Sequence, residues 1–206
     1  MEKNTIADTL EFFMYVGQLK KAKRIGWVHN NVKDVESVSD HMYRMAIMTM
    51  MLSDKGLNIL HCMKLALVHD LAECIVGDIT PYCGISPEEK HQKEKDAMVH
   101  LVGLVHNEKV SKDIMNLWEE YSKRETAEAL AVKDLDRFEM ILQAFEYEKA
   151  EQRAGELESF FTGTEGKFQH PEVKTWVKEL EEQRHKFIEG HVEKETCEAQ
   201  VVKSTN

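Results

Sequence analysis

Proline and glycine are scarce in this 206-residue chain, with three and ten residues respectively. Runs of β-branched residues with period-2 alternation are scarce too. Both shortages argue against short strands joined by tight turns and leave helical spacing as the dominant pattern. The four cysteines (Cys62, Cys74, Cys83 and Cys197) form no C-x-x-C pair. That spacing argues against a zinc ribbon or a disulfide frame and points to reduced thiols. No run of about 18 apolar residues occurs, so no membrane association is expected. The opening "MEKNTIADTL" lacks a basic segment followed by an apolar one. No secretory signal is read there, and a cytoplasmic or otherwise intracellular location is expected. Basic charge is also in deficit. The formal net charge of −10 argues against a polynucleotide partner, because phosphate backbones favour basic surfaces. A small phosphorylated ligand fits only if cations meet it locally, and "KKAKR" at 20–24 is the one dense basic cluster early in the chain.

Apolar residues recur at helical spacing over 5–22, 39–53, 58–76, 86–106, 109–122, 125–150 and 171–190. Ser39 reads as an N-cap, Pro87 and Pro171 as first-turn residues, and Gly77 as a helix stop. Segments 23–38 and 77–86 read as ordered loops. The expected architecture is all-α: one helical-bundle domain over 1–190, with 191–206 as a flexible tail. Met42, Met45, Met48, Met50 and Met51 form a stripe that reads as adaptable core. Phe138, Phe145 and Tyr147 read as packing residues.

Several polar residues break this pattern. In "LALVHDLAECIVGDI" (65–79), His69, Asp70 and Glu73 interrupt an otherwise apolar helix, and Asp78 follows its end. On an ideal wheel Glu73 lies about 40° and Asp70 about 100° from His69. Burying carboxylates without compensation costs several kcal/mol, so this arc calls for a positive charge at its centre. A divalent cation in a mixed imidazole and carboxylate site supplies one. A hydrogen-bonded core His–Asp pair with a solvent-facing Glu73 is the alternative. His41, in "ESVSDHMYRMA", and Asp136, in "VKDLDRFEMILQA", extend the pattern. Each is a potential ligand on an apolar row, and Asp136 shares its face with Val132 and Met140.

At these residues the chain resembles the HD-domain metal phosphohydrolases, whose signature is H…HD…D on separate helices. "GWVHNNV", "ESVSDHMYRMA", "LALVHDLAECIVGDI", "EEKHQKE" and "VKDLDRFEMILQA" are similar to the HD domain-containing protein 2 family of 5′-deoxynucleotidases. The resemblance covers roughly residues 10–185. It implies an HD-domain bundle with a metal site between helices, and His41, His69, Asp70 and Asp136 as ligands. It implies Glu73 as the catalytic proton acceptor, and Glu73 and Asp78 as ligands for a second ion. Arg24, Trp27 and Asp78 are implied to meet the substrate, with Arg24 for phosphate and Trp27 as a flat wall. Lys20, Lys21 and Lys23 are alternative phosphate partners, and Glu120 is a weaker candidate for substrate contact. The implied reaction hydrolyses a deoxyribonucleoside 5′-monophosphate by attack of metal-activated water. Manganese, cobalt or magnesium is the implied ion, and a homodimer the implied assembly. The rivals are a phosphodiesterase or triphosphohydrolase of the same superfamily, and a nucleotide-sensing or interaction module without turnover.

Overall fold

The computed structural model describes residues 5–80 and 83–204, except for the side chains from 193 onward, where Cys197 lies. Ten helices occur among the described residues: α1 (Thr5–Gln18), α2 (Ile25–His29), α3 (Val38–Thr49), α4 (Ile59–Val68), α5 (Glu73–Val76), α6 (Pro87–Gly103), α7 (Glu108–Lys123), α8 (Ala127–Ala150), α9 (Glu158–Thr162) and α10 (Pro171–Ser204). The all-α reading holds; an isolated bridge between Lys23 and Ser37 is the one β-type pairing among the described residues. No described helix is long and apolar enough to cross a membrane. The chain divides into two compact units, Met1–Lys133 and Asp134–Asn206, with the boundary inside α8.

In the first unit α3 packs on α4, α4 and α6 pack on α7, and α5 packs on α1 and α6. Their shared core holds Leu19, Val38, Met42, Leu71, Ala72, Cys74, Met98, Leu101 and Trp118. The methionine stripe divides. Met42 and Met45 are buried, whereas Met50 and Met51 are exposed. Cys62 and Cys74 are buried thiols and Cys83 an exposed one, none in a disulfide.

Helix α3 starts earlier than Ser39. Ser37 is the N-cap, because Ser37-x-x-Asp40 closes a capping box. The Asp40 carboxylate accepts from the Ser37 N–H at 2.8 Å, and the Ser37 hydroxyl accepts from the Asp40 N–H at 3.2 Å. The hydrogen bond from Ser37 holds the Asp40 carboxyl below its ordinary range, against the cost of burial. This box sets the helix that carries His41. Ser37→Ala is expected to lower stability by about 1–2 kcal/mol, read as a shift in urea midpoint at unchanged slope.

The second unit is organised by a buried ion pair. Arg184 of α10 donates through Nε and Nη2 to the two Glu148 oxygens of α8, at 2.8 and 2.9 Å. Its Nη1 reaches Glu158 at 2.7 Å, and its guanidinium lies 3.8 Å above the Phe161 ring. Asp134 is also buried here. It accepts from the backbone N–H groups of Gln169 and His170, which ties down the turn before α10. Phe138, Phe145 and Tyr147 are buried as expected. Helix α9 was not read from the sequence, and α10 runs on to Ser204, past 190, through a stretch that holds the helix formers Glu and Lys and no proline or glycine.

Candidate metal centre

The single helix expected over 58–76 is interrupted. Helix α4 ends at Val68, a tight stretch follows over 69–72, and α5 resumes at Glu73. Through this stretch the backbone bonds close over three residues. Leu71 donates to Val68, Glu73 to Asp70 and Cys74 to Leu71, at 3.0–3.2 Å. Such 3₁₀-type closure changes the angular spacing of side chains. His69 and Glu73 end up buried, and Asp70 stays partly exposed. The ideal wheel therefore understates how separately the three residues are placed.

The His69 ring is fixed by its own helix, with Nδ1 2.9 Å from the Ala66 carbonyl. A carbonyl only accepts, so Nδ1 carries the proton and Nε2 presents a lone pair. That Nε2 is buried and makes no hydrogen bond, although Asp70 Oδ2 is 3.0 Å away. The same Asp70 oxygen is 3.9 Å from Nε2 of His41, a fully buried residue of α3. The two imidazoles meet edge-on with centroids 5.5 Å apart. A nitrogen lone pair and a carboxylate oxygen at this separation, without a hydrogen bond between them, repel unless a cation lies between. Asp136 stands on α8 one turn beyond the buried Val132. His41 and His69 each offer a ligand atom, and these atoms lie within 4.8 Å of one another. The orphaned His69 nitrogen and the mixed imidazole and carboxylate donor set both fit a divalent transition ion.

Glu73 is the second orphan. Its Oε2 is buried without a hydrogen-bond partner. Burial above all raises its carboxyl well above the ordinary 4.5, and the charges of Asp70 and Asp78 add to the effect. Arg24 and Lys90 offset part of it. Such a group is stabilised by a proton or by a cation.

Gly77, at φ +72°, ends α5 in a conformation that favours glycine and turns the chain into Asp78. Asp78 Oδ2 accepts from the Ile25 N–H at 2.6 Å, across 53 residues of sequence. It thus satisfies the first free N–H of α2, a short helix inside the segment expected to be a loop. Arg24 immediately precedes that bond and brings Nη1 to 3.6 Å from Asp70 Oδ2. The structure thus brings Arg24, His41, His69, Asp70, Glu73 and Asp78 to one place.

Trp27 departs from expectation. It is 1% exposed, and its indole N–H donates to Glu36 at 2.8 Å. A wall against a sugar needs an open face, and this ring is sealed. Trp27 instead underpins the turn carrying Arg24, whose Nε lies 3.9 Å from the same Glu36 oxygen. Lys23 is taken by the Val35 carbonyl. Glu120 is likewise engaged, with one oxygen 2.8 Å from His61 Nε2 and the other accepting from the Thr126 hydroxyl. Two contributors escaped the sequence reading. Glu36 carried no local signal. Lys90 sat in the quoted "EEKHQKE" without a role, since a lysine near a helix start reads as surface charge.

The comparisons agree with this geometry. The HD domain family model matches residues 16–176. The Danio rerio protein named 5′-deoxynucleotidase HDDC2 is 54% identical over 187 residues, covering 91% of this chain and 93% of its own. The Homo sapiens protein of that name is 53% identical, covering 85% of each chain. Among solved structures, the HD domain-containing protein YGK1 (YGL101W) superposes with a TM-score of 0.65 at 32% identity, over 87% of each chain. A conserved hypothetical protein from Pyrococcus furiosus gives 0.68 at 30% identity, over 84% of this chain and 99% of its own. With a matched span that contains His41, His69–Asp70 and Asp136 in order, the chain belongs to the HD domain family.

Proposed function

We propose that this chain hydrolyses deoxyribonucleoside 5′-monophosphates to deoxyribonucleosides and phosphate. The observation that carries the reading is the cluster of buried His41 and His69 with the partly exposed Asp70, and the orphaned Glu73 oxygen beside it. The names of the relatives at 53–54% identity supply the substrate class. His41, His69, Asp70 and Asp136 are the ligand set of this proposal, and Glu73 and Asp78 are available to a second ion. A divalent cation held there supplies Lewis acidity that makes water a stronger acid and offsets charge on the phosphoryl oxygens. Two imidazoles among the donors favour manganese or cobalt over magnesium.

The chain's own groups account for the rest. The Ala66 carbonyl keeps His69 in the tautomer that offers Nε2 inward. Glu73 in its ionised form accepts the proton released as water adds to phosphorus and passes it to O5′ as the P–O5′ bond breaks, so that the nucleoside leaves as an alcohol. Arg24 presents a planar fork of donors suited to the phosphate oxygens. Asp78 sets the Arg24 turn through Ile25. An expected homodimer finds support in α1, where Ile6, Leu10, Phe13 and Met14 form an exposed apolar stripe; light scattering measures it.

Phosphate release across ribo- and deoxyribonucleoside mono-, tri- and cyclic phosphates, with manganese, cobalt or magnesium, tests the proposal. Release from deoxyribonucleoside monophosphates that stops on chelation and returns with the ion is expected. Indifference to chelator overturns the mechanism. Preference for tri- or cyclic phosphates moves the substrate class. Tight nucleotide binding without release under every ion indicates a sensing module.

A further inference from the structure

Lys90 is the fourth residue of α6, a place where a lysine ordinarily extends into water. Here its ammonium turns inward. Nζ donates to the Ile79 carbonyl at 2.7 Å and lies 3.4 Å from Glu94 Oε1. Ile79 directly follows Asp78, whose carboxylate holds the Ile25 N–H at 2.6 Å. Ile25 directly follows Arg24, whose guanidinium is 3.6 Å from Asp70. Three polar contacts and two peptide links thus run unbroken from α6 to the candidate metal centre. The charged groups facing Lys90 are Glu94 on its own helix, and Glu73, Asp70 and Asp78 opposite. Burial works against the ammonium, but these four acids outweigh it and keep its pKa above the ordinary lysine value.

We propose that Lys90 is a positioning residue for the phosphate end of the site: by gripping the Ile79 carbonyl it fixes the Asp78 turn and, through the Asp78–Ile25 bond, the Arg24 guanidinium. The assignment of Arg24 to phosphate rests on the function proposed above, whereas the link from Lys90 to Ile25 stands on contacts alone. The methylene stem of Lys90 can be kept while its charge is removed, so Lys90→Met isolates the grip on Ile79. Lys90→Arg keeps a donor for that carbonyl.

Two measurements separate the link from the function. Amide exchange at Ile25, followed by NMR on the full chain, reports the Asp78 bond without any substrate. It is expected to quicken about 10-fold in Lys90→Met and to return most of the way in Lys90→Arg. Steady-state kinetics on deoxyribonucleoside monophosphates should show KM raised about 10-fold in Lys90→Met with a smaller change in kcat, and a double variant with Asp78→Asn should be little worse than Asp78→Asn alone. A general loss of structure would not produce that KM-against-kcat split or the arginine rescue. Unchanged Ile25 exchange in Lys90→Met overturns the proposal, as does an unchanged KM in an active enzyme. If the wild-type chain releases no phosphate, the proposed function falls while the exchange comparison still decides the link. Should Lys90→Met not fold, Lys90→Gln carries both comparisons.

Discussion

Glu73→Gln will lower kcat for phosphate release by about 10²- to 10⁴-fold, the range expected when a positioned proton acceptor is lost. The same substitution will stabilise the chelated protein by about 1–3 kcal/mol, because it removes a buried charge with an unpaired oxygen. The two effects have one cause and opposite signs. Burial raises the Glu73 carboxyl above the ordinary 4.5, with Asp70 and Asp78 adding to it, so the folded chain holds a proton that the unfolded chain releases first. The stability tied to that proton is complete below the ordinary glutamate range and is lost as pH climbs through the raised value. Glutamine has no such window. Its advantage should be absent near pH 4 and grow toward neutrality, as read from thermal melts in chelator at several pH values. Saturating divalent cation should narrow or reverse the gap. Full activity in Glu73→Gln would remove Glu73 from the proton step; melts identical to wild type at every pH would remove the buried charge.

Arg184→Met will have the largest effect on stability, about 3–5 kcal/mol, because it strands a carboxylate. Glu148 is fully buried, and both of its oxygens are held by Arg184, with one also accepting from the Leu157 N–H at 2.9 Å. Coupling within the pair decides the interpretation. Adding Glu148→Gln to Arg184→Met removes the stranded charge while retaining an acceptor for Leu157, so the double variant should recover a sizeable part of the loss. Arg184→Lys should fall between, since an ammonium cannot reproduce the two-pronged contact. Urea unfolding of the four proteins gives these differences directly. A loss under about 1 kcal/mol in Arg184→Met would mean that this pair does not hold α8 to α10.

The sequence carried the candidate site further than it carried the backbone. His41, His69 and Asp136 were visible because each is a ligand type set in an apolar row, a contrast that survives without coordinates. The break at 69–72 was not visible, since Leu65 to Val76 reads as one apolar helix. What ends α4 is a local competition, in which the His69 ring takes the Ala66 carbonyl and the following bonds close over three residues. Ser39 lost the cap to Ser37 because the reciprocal bond from Asp40 decides the start. The enclosure of Trp27 is hidden for a different reason: an aromatic in a loop resembles a binding wall until its burial is known. Lys90 and Asp78 act through partners that no local window contains.

The bond between Asp78 and Ile25 has a kinetic consequence. Closing a loop of 53 residues costs about 3–4 kcal/mol of chain entropy, more than the roughly 1 kcal/mol that one such bond returns. It cannot lead folding; the packing of α3 on α4, which lie between the two segments in the chain, shortens the loop first. The substrate end of the pocket is therefore assembled late during folding, and a nascent chain is incompetent until its scaffold has closed.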